Sequence, residues 1–325
     1  MFSWRKILTG VSQRPTRKLH ISSILQEAVI IDGKQIANEI QKELKATVDT
    51  LVQNGNRKPK LVAVLVGNNP ASKLYVQRKM KVASLIGIDS STIVLEEKIT
   101  QEKLIKEIDH LNKNETIDGI IVQLPLSEHI NEHEICQAIA PDKDVDGFHS
   151  ENIGRLTLNN HTIIPATALG VRELIIKSKI DTFGKNAVIV GRSKHVGLPI
   201  ALLLHSSGQG NTGALDMTTT ICHRHTPKSE LTKFTKLADL VVVSTGIPGL
   251  ITKDMIKPGA CVIDVGISKI NVGNKYKLVG DVDFENVKQV AGYITPVPGG
   301  VGPMTVTMLM KNTISVAMKN YHCKT

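Results

Sequence analysis

The sequence predicts two α/β domains facing each other across a cleft, the second built on a doubly wound parallel sheet. Three observations carry that prediction. Helical and strand periods alternate from Asp32 to about residue 150. A second alternation follows at tighter spacing, with strands beginning at 186, 218, 239 and 261, and a loop holding Gly191 and Gly197 joins one of those strands to a helix. With 325 residues, 41% of them hydrophobic, the chain can bury two cores, and no apolar run approaches the roughly 18 residues of a membrane span.

The first 26 residues hold Arg5, Lys6, Arg14, Arg17 and Lys18 and no acid. An Arg-rich, Ser-containing, acid-free leader with spaced apolar residues reads as a mitochondrial transit peptide, assigned to 1–28, with the matrix as destination. Without those five cations the net charge of +10 falls to +5, so charge gives no case for nucleic acid. Aromatics are only 3%, and no RNA-binding pattern with interleaved aromatics is present. Cys136, Cys222, Cys261 and Cys323 show neither a C-x-x-C pair nor zinc-finger spacing, which suits a reducing compartment.

The first domain spans 29–150. Ile36, Ile40, Leu44, Val48 and Leu51 mark one face of a helix that Asp32 caps and Gly55 terminates. "KLVAVLVG" (60–67) is a continuous β-branched run, as a strand buried on both faces requires. Asn69 and Pro70 supply the cap and first-turn residue of a helix that carries Tyr75 and Lys79 and stops at Gly87. "STIVL" (91–95), a helix over 101–114 and "IDGIIVQLPL" (117–126) continue the alternation.

The second domain spans 151–302, with strands at "NAVIVG", "TTTICH", "DLVVVSTG" and "CVIDVG". A final helix, 303–320, could pack on either domain and is taken with the first. Gly191 and Gly197 sit where backbone N–H groups at a helix start can face a pyrophosphate, although Ser193 replaces the second glycine of G-x-G-x-x-G. The next strand ends in His223, Arg224 and His225 rather than in an acid. Arg192 and Arg224 together therefore look built for the 2′-phosphate of NADP.

The Tyr75 helix, Gln123 at a strand end, "KDVDGFH" (143–149), "VGRSKHVGLP" (190–199) and "PVPGGVGPMT" (296–305) together resemble the methylenetetrahydrofolate dehydrogenase/cyclohydrolase family, from about residue 29 to 320 and in family order. No synthetase domain follows, so the likeness is to the short bifunctional form. Within the family, "HSSGQGNTGALDMTTTICHRHTPK" (205–228) is similar to the mitochondrial NAD-dependent branch. That branch uses magnesium and inorganic phosphate with NAD. The resemblance thus implies that Arg192 and Arg224 bind phosphate in place of the missing 2′-phosphate, and that Asp216 binds magnesium beside the ribose. An NADP-preferring member and a catalytically silent folate-binding member are the alternatives.

The implied chemistry is hydride transfer from 5,10-methylenetetrahydrofolate to the nicotinamide, then hydrolysis of the methenyl product to 10-formyltetrahydrofolate. Hydride transfer needs alignment of two carbons; hydrolysis needs a proton-transfer group. Lys79 is the implied catalytic residue, with Tyr75 on the same helix face and Gln123 holding Lys79 through its amide oxygen. A lysine serves as a base only where burial or nearby positive charge favours its neutral form, and a bound methenyl cation is such a charge. Asp146 would bind the amidine-like edge of the pterin, while Asp142 and Asp144 read as ordinary loop acids.

Leu124, Phe148, Gly299, Gly302, Pro303 and Thr305 complete the implied folate site. Gly191, Arg192, Ser193, Val196, Gly197, Arg224, Thr245, Gly246 and Ile267 form the implied cofactor site. The substrates would be polyglutamylated folates and the assembly a homodimer. Three positions depart from the family pattern: Ala168 and Ser127 where proline is usual, and Arg78 beside the catalytic face. A short-chain dehydrogenase also pairs Tyr and Lys four apart, but there the pair follows the glycine loop, whereas Tyr75 precedes Gly191. A fluorescent protein fused to residues 1–30 is expected to enter mitochondria; a cytosolic signal would refute the leader.

Overall fold

The computed structural model describes residues 27–273 and 275–322. The leader up to residue 26 and Cys323 lie outside the described residues. Ala28, included in the expected leader, is buried and donates its N–H to Lys288 O at 2.8 Å, so the folded chain begins no later than residue 28.

The first half runs β1 (Val29–Ile30), α1 (Gly33–Gln53), β2 (Lys60–Val66), α2 (Pro70–Ile86), β3 (Asp89–Leu95), α3 (Gln101–Lys113), β4 (Gly119–Val122), α4 (Glu132–Ala138) and α5 (Ser150–Thr157). The second half runs α6 (Ala166–Lys177), β5 (Asn186–Val190), α7 (Gly197–His205), β6 (Thr218–Cys222), α8 (Lys228–Leu237), β7 (Leu240–Val243), β8 (Cys261–Asp264), β9 (Ser268–Val272), β10 (Lys275–Val279), α9 (Phe284–Val287), β11 (Tyr293–Ile294) and α10 (Val301–His322).

The expected caps form. Asp32 Oδ1 accepts from the N–H groups of Lys34 and Gln35 at 3.0 Å each, and Asn69 Oδ1 accepts from those of Ala71 and Ser72. Each such cap stabilises its helix by about 0.5–2 kcal/mol. Gly87 ends α2 in the left-handed conformation that lets the chain turn back into β3.

Two parallel sheets result, in the orders β3-β2-β4 and β1-β11-β8-β7-β5-β6. β1 thus joins the larger sheet, pairing Val29 with Tyr293 and Ile30 with Ile294, although the sequence places residue 29 in the first domain. A two-residue edge strand is too short to show a period, and only its pairing reveals where it belongs. β9 and β10 form an antiparallel hairpin, which the sequence reading did not resolve.

Period two splits the buried strands between cores. Leu61, Ala63 and Leu65 of β2 pack with α1, α2 and α10, while Val62, Val64 and Val66 pack with Leu104 and Ile108 of α3. In the larger sheet Ala187, Ile189, Leu240, Val242, Cys261 and Ile263 face the same core as Leu61 and Leu65; Val188, Val190, Val241, Val243 and Val262 face a separate one. α10 packs against α6, α1 and α2, so it belongs to both halves rather than to the first alone. Its buried Asn312 donates from Nδ2 to Val145 O and Ile164 O, both at 2.9 Å, tying the two ends of the connection between the sheets.

Candidate functional site

The C-terminal ends of parallel strands are where an open α/β sheet builds its sites. β4 delivers Gln123 and Leu124 there, and the chain after α4 returns through "KDVDGFH". Lys143 is buried and donates from Nζ to Asn112 O at 2.7 Å and Asn114 O at 2.8 Å, closing the end of α3. Asp144 is also buried and accepts from the N–H groups of Gly147 (3.1 Å) and His149 (2.7 Å) and from Asn152 Nδ2 (3.0 Å). It is therefore the brace of this loop rather than an ordinary loop acid, and burial raises its pKa despite those donors. The braced loop presents Asp146 and Phe148.

Lys79 of α2, Gln123, Leu124, Asp146, Phe148 and Thr305 of α10 line one cavity of about 300 Å³. Val122 of β4, Ala166 and Thr167 at the start of α6 and His195 of the β5–α7 loop complete its wall, none of them a site residue expected from sequence. Tyr75, one turn before Lys79, lines a neighbouring cavity, also of about 300 Å³, with Gly299, Gly302, Pro303 and Ile267. Arg78 and Lys81 line that second cavity too, as does Leu278 of the hairpin. The sequence places Tyr75, Lys79 and Gln123 in one cleft; the structure puts Lys79 with Gln123 and sets Tyr75 against the Pro and Gly loop.

The expected hold of Gln123 on Lys79 is not formed. Gln123 Nε2 donates to Leu124 O at 2.6 Å, and Oε1 is buried without a partner among the described residues. A buried amide oxygen left open at a cavity wall is an acceptor waiting for a donor.

The cofactor loop follows β5. Gly191 has φ +131°, and a Cβ there would lie 2.4 Å from Ser244 O at the end of β7; a Cβ on Gly197 would lie 2.2 Å from Gly191 O. Both positions demand glycine because three backbone segments converge at the crossover between β5 and β7. Ser193 Oγ accepts from Gly197 N–H at 3.2 Å, and Val196 precedes the first residue of α7. Gly191 N–H donates to Cys222 O at 2.9 Å, so the loops bearing Arg192 and Arg224 spring from paired strand ends. Both arginines are exposed. Desolvation, then Arg192, then His225 lower the pKa of His223 between them.

Asp216 lies elsewhere. It precedes β6 by two residues, whereas Arg224 follows that strand by two, so five strand residues, about 16 Å of rise, separate their ends of the sheet. Asp216 Oδ2 accepts from Gly208 N–H at 2.9 Å and holds the loop before β6. Asp216 thus stands at the opposite end of β6 from Arg224, and among the described residues no cluster of three or more His, Cys, Asp or Glu could hold a metal.

Two buried acids shape the turn after β7. Asp281 Oδ2 accepts from Thr245 N–H (2.6 Å), Thr245 Oγ1 (2.9 Å) and Gly246 N–H (2.9 Å). Asp264 at the end of β8 accepts from the N–H groups of Gly266, Asp281 and Val282 at 3.0, 3.1 and 2.9 Å. The glycine loop, the open Ser244 Oγ and this fixed turn suit a dinucleotide lying along the strand ends.

The tetrahydrofolate dehydrogenase/cyclohydrolase family model matches residues 31–146 with its catalytic domain and residues 165–321 with its NAD(P)-binding domain. The chain belongs to this family. A rat relative, the mitochondrial bifunctional methylenetetrahydrofolate dehydrogenase/cyclohydrolase 2, is 53% identical over 96% of this chain and 92% of its own length. The solved 5,10-methylenetetrahydrofolate dehydrogenase of the silkworm, Bombyx mori, superposes with a TM-score of 0.87 at 51% identity, covering 91% of this chain and 99% of its own. The Trypanosoma brucei dehydrogenase-cyclohydrolase, solved with NADP cofactor and inhibitor, gives 0.85 at 38% identity over 91% and 99%. In family terms the Lys79 cavity falls between the catalytic and NAD(P)-binding domains, since it draws on residues matched by both.

Burial, with the charge of Asp281 adding to it, raises the pKa of Asp264 from 3.8 to about 6. The folded carboxyl thus keeps its proton to a higher pH than the unfolded one. Its contribution to stability is fully present below 3.8 and is lost as pH rises through about 6. Melts of wild type and Asp264→Asn should therefore diverge over that window, wild type losing ground as pH rises. A constant difference across it would contradict this assignment.

Proposed function

We infer that the protein is an NAD(P)-dependent methylenetetrahydrofolate dehydrogenase and methenyltetrahydrofolate cyclohydrolase of mitochondria. One observation carries the reading: Lys79, Gln123, Asp146 and Phe148 share a cavity with a residue of the cofactor loop. Substrate held by Asp146 and Gln123 would present its one-carbon unit toward the nicotinamide side, and alignment is the main requirement of hydride transfer. The bound cofactor supplies the hydride acceptor. Lys79 then moves protons during hydrolysis, its neutral form favoured by the cationic methenyl group. Tyr75 would offer its ring to the folate from the adjoining cavity, where Arg78 and Lys81 suit an acidic polyglutamate tail.

The cofactor assignment is NAD with inorganic phosphate. Arg192 and Arg224, exposed on loops that leave paired strand ends, can clamp a phosphate where NADP would carry its own. Magnesium would accompany that phosphate, with Asp216 as the carboxylate that the family resemblance implies for it. A matrix location and a homodimer complete the proposal, both in keeping with the resemblance to the mitochondrial branch.

Purified protein given methylenetetrahydrofolate should form the methenyl product with NAD faster when phosphate and magnesium are present, and NADP-linked turnover should depend on them less. Equal NAD rates in both buffers would sink the phosphate assignment; no methenyl absorbance with either cofactor would sink the activity. Lys79→Met should lower hydrolysis by roughly 10²-fold or more while NAD binding stays near wild type. Full hydrolytic activity in that variant would remove Lys79 from the chemistry.

A further inference from the structure

His195 is the one residue of the cofactor loop that lines the Lys79 cavity. It sits three residues beyond Arg192, and its ring centroid lies 4.2 Å from that of Phe148 with the planes tilted by 53°. This contact carries the cofactor loop onto the braced loop that also holds Asp146. Nε2 of His195 is buried and has no hydrogen-bond partner among the described residues. A buried imidazole nitrogen left open costs free energy that packing against Phe148 does not require, since an apolar side chain would fill the same space without that cost. Gln123, whose buried Oε1 is likewise without a partner among the described residues, lines the same cavity. Two residues that each carry an unsatisfied polar atom line one small cavity, and a small side-chain rotation would let a polar occupant bond both.

We propose that His195 is a second proton-transfer residue of the hydrolytic step, its Nε2 taking the proton of the water that attacks the methenyl carbon. This rests on the activity inferred above. As the water oxygen bonds to the cationic carbon, an electron pair of the carbon–nitrogen bond returns to nitrogen and one water proton passes to Nε2. The resulting carbinolamine loses its hydroxyl proton as the bond to the ring nitrogen breaks, and that nitrogen gains a proton, leaving the formyl group on the other. The imidazolium gives its proton to solvent, so one methenyl cation and one water yield the formyl product and one proton. Lys79, on the same cavity, is placed to hand the leaving nitrogen its proton.

The surroundings suit a neutral imidazole. Burial lowers the pKa of His195 below 6.5, and Lys194 on its own loop and His133 of α4 act in the same direction. Glu132 of α4 and Asp146 of the braced loop oppose them, and Lys79 of α2 lines the same cavity wall. Near neutral pH the free nitrogen can thus accept a proton.

The test measures both activities of wild type and His195→Gln against pH, with a thermal melt of each. Hydrolytic kcat should fall roughly 10²-fold, and by more than dehydrogenase kcat, with loss of the acid limb expected in wild type of an imidazole that must be neutral to act. Added imidazole should restore part of the hydrolysis in His195→Ala. The inference is overturned if folded His195→Gln hydrolyses at the wild-type rate, or if it loses both activities equally with an unchanged pH profile. Should the glutamine variant fail to fold, the alanine variant decides: no rescue by imidazole overturns the inference as well. Wild type inactive in both assays would instead refute the underlying activity, an outcome recognisable without any variant.

Discussion

One apolar core joins the two parallel sheets, and the site depends on it. The inner residues of β2 and those of β5, β7 and β8 meet the same cluster, with α1, α6 and α10 filling the space between. Close-packed interiors resist small displacements, so the strand ends that carry Gln123 on one side and Gly191 on the other keep a set separation. Catalysis that depends on alignment then comes from packing far below the reacting atoms.

Above that core the site is finished by buried polar groups that hold backbone. Asp144 fixes the loop of Asp146 and Phe148, Asp281 fixes the Thr245–Gly246 turn, and Asp264 fixes the chain entering Asp281. Each carboxylate takes two or more N–H groups that would otherwise be stranded away from water. Asp144 and Asp281 line neither of the two site cavities and Asp264 lines the Tyr75 cavity, yet all three set the positions of neighbouring site residues. Burial raises the pKa of Asp144 and Asp264, so the hydrogen bonds that order the site are kept against a cost that grows as these carboxyls ionise.

Much of this was legible in the sequence, for physical reasons. Asp32, Asn69, Pro70 and Gly87 are local signals, because a cap needs only its own helix. β2, β4, β5, β7 and β8 show as continuous apolar runs because both their faces are covered. β1 and the β9–β10 hairpin were invisible, the first for want of length and the second because exposed Ile270 and Tyr276 give no buried face to read. In the site, Lys79, Gln123 and Asp146 were reached through a family pattern, but their hydrogen bonds were not. Whether Gln123 faces Lys79 or its neighbour's carbonyl is a rotamer question that spacing does not answer. Asp216 is close to Arg224 in sequence but lies at the other end of β6, a separation that spacing alone does not show. His195 was quoted within the cofactor loop and passed over, since nothing local says that a loop side chain will reach the other half of the molecule.

Asn312 has a mechanical meaning beyond its hydrogen bonds. A single amide grips the chain at Val145, where the first half ends, and at Ile164, where the second begins. A two-domain enzyme that opens like a jaw needs slack in its connection, and here both ends of the connection are pinned to one helix. Any swing of one half against the other would then have to strain that buried amide as well as the shared core, so the connection acts as a clasp and not as a free tether.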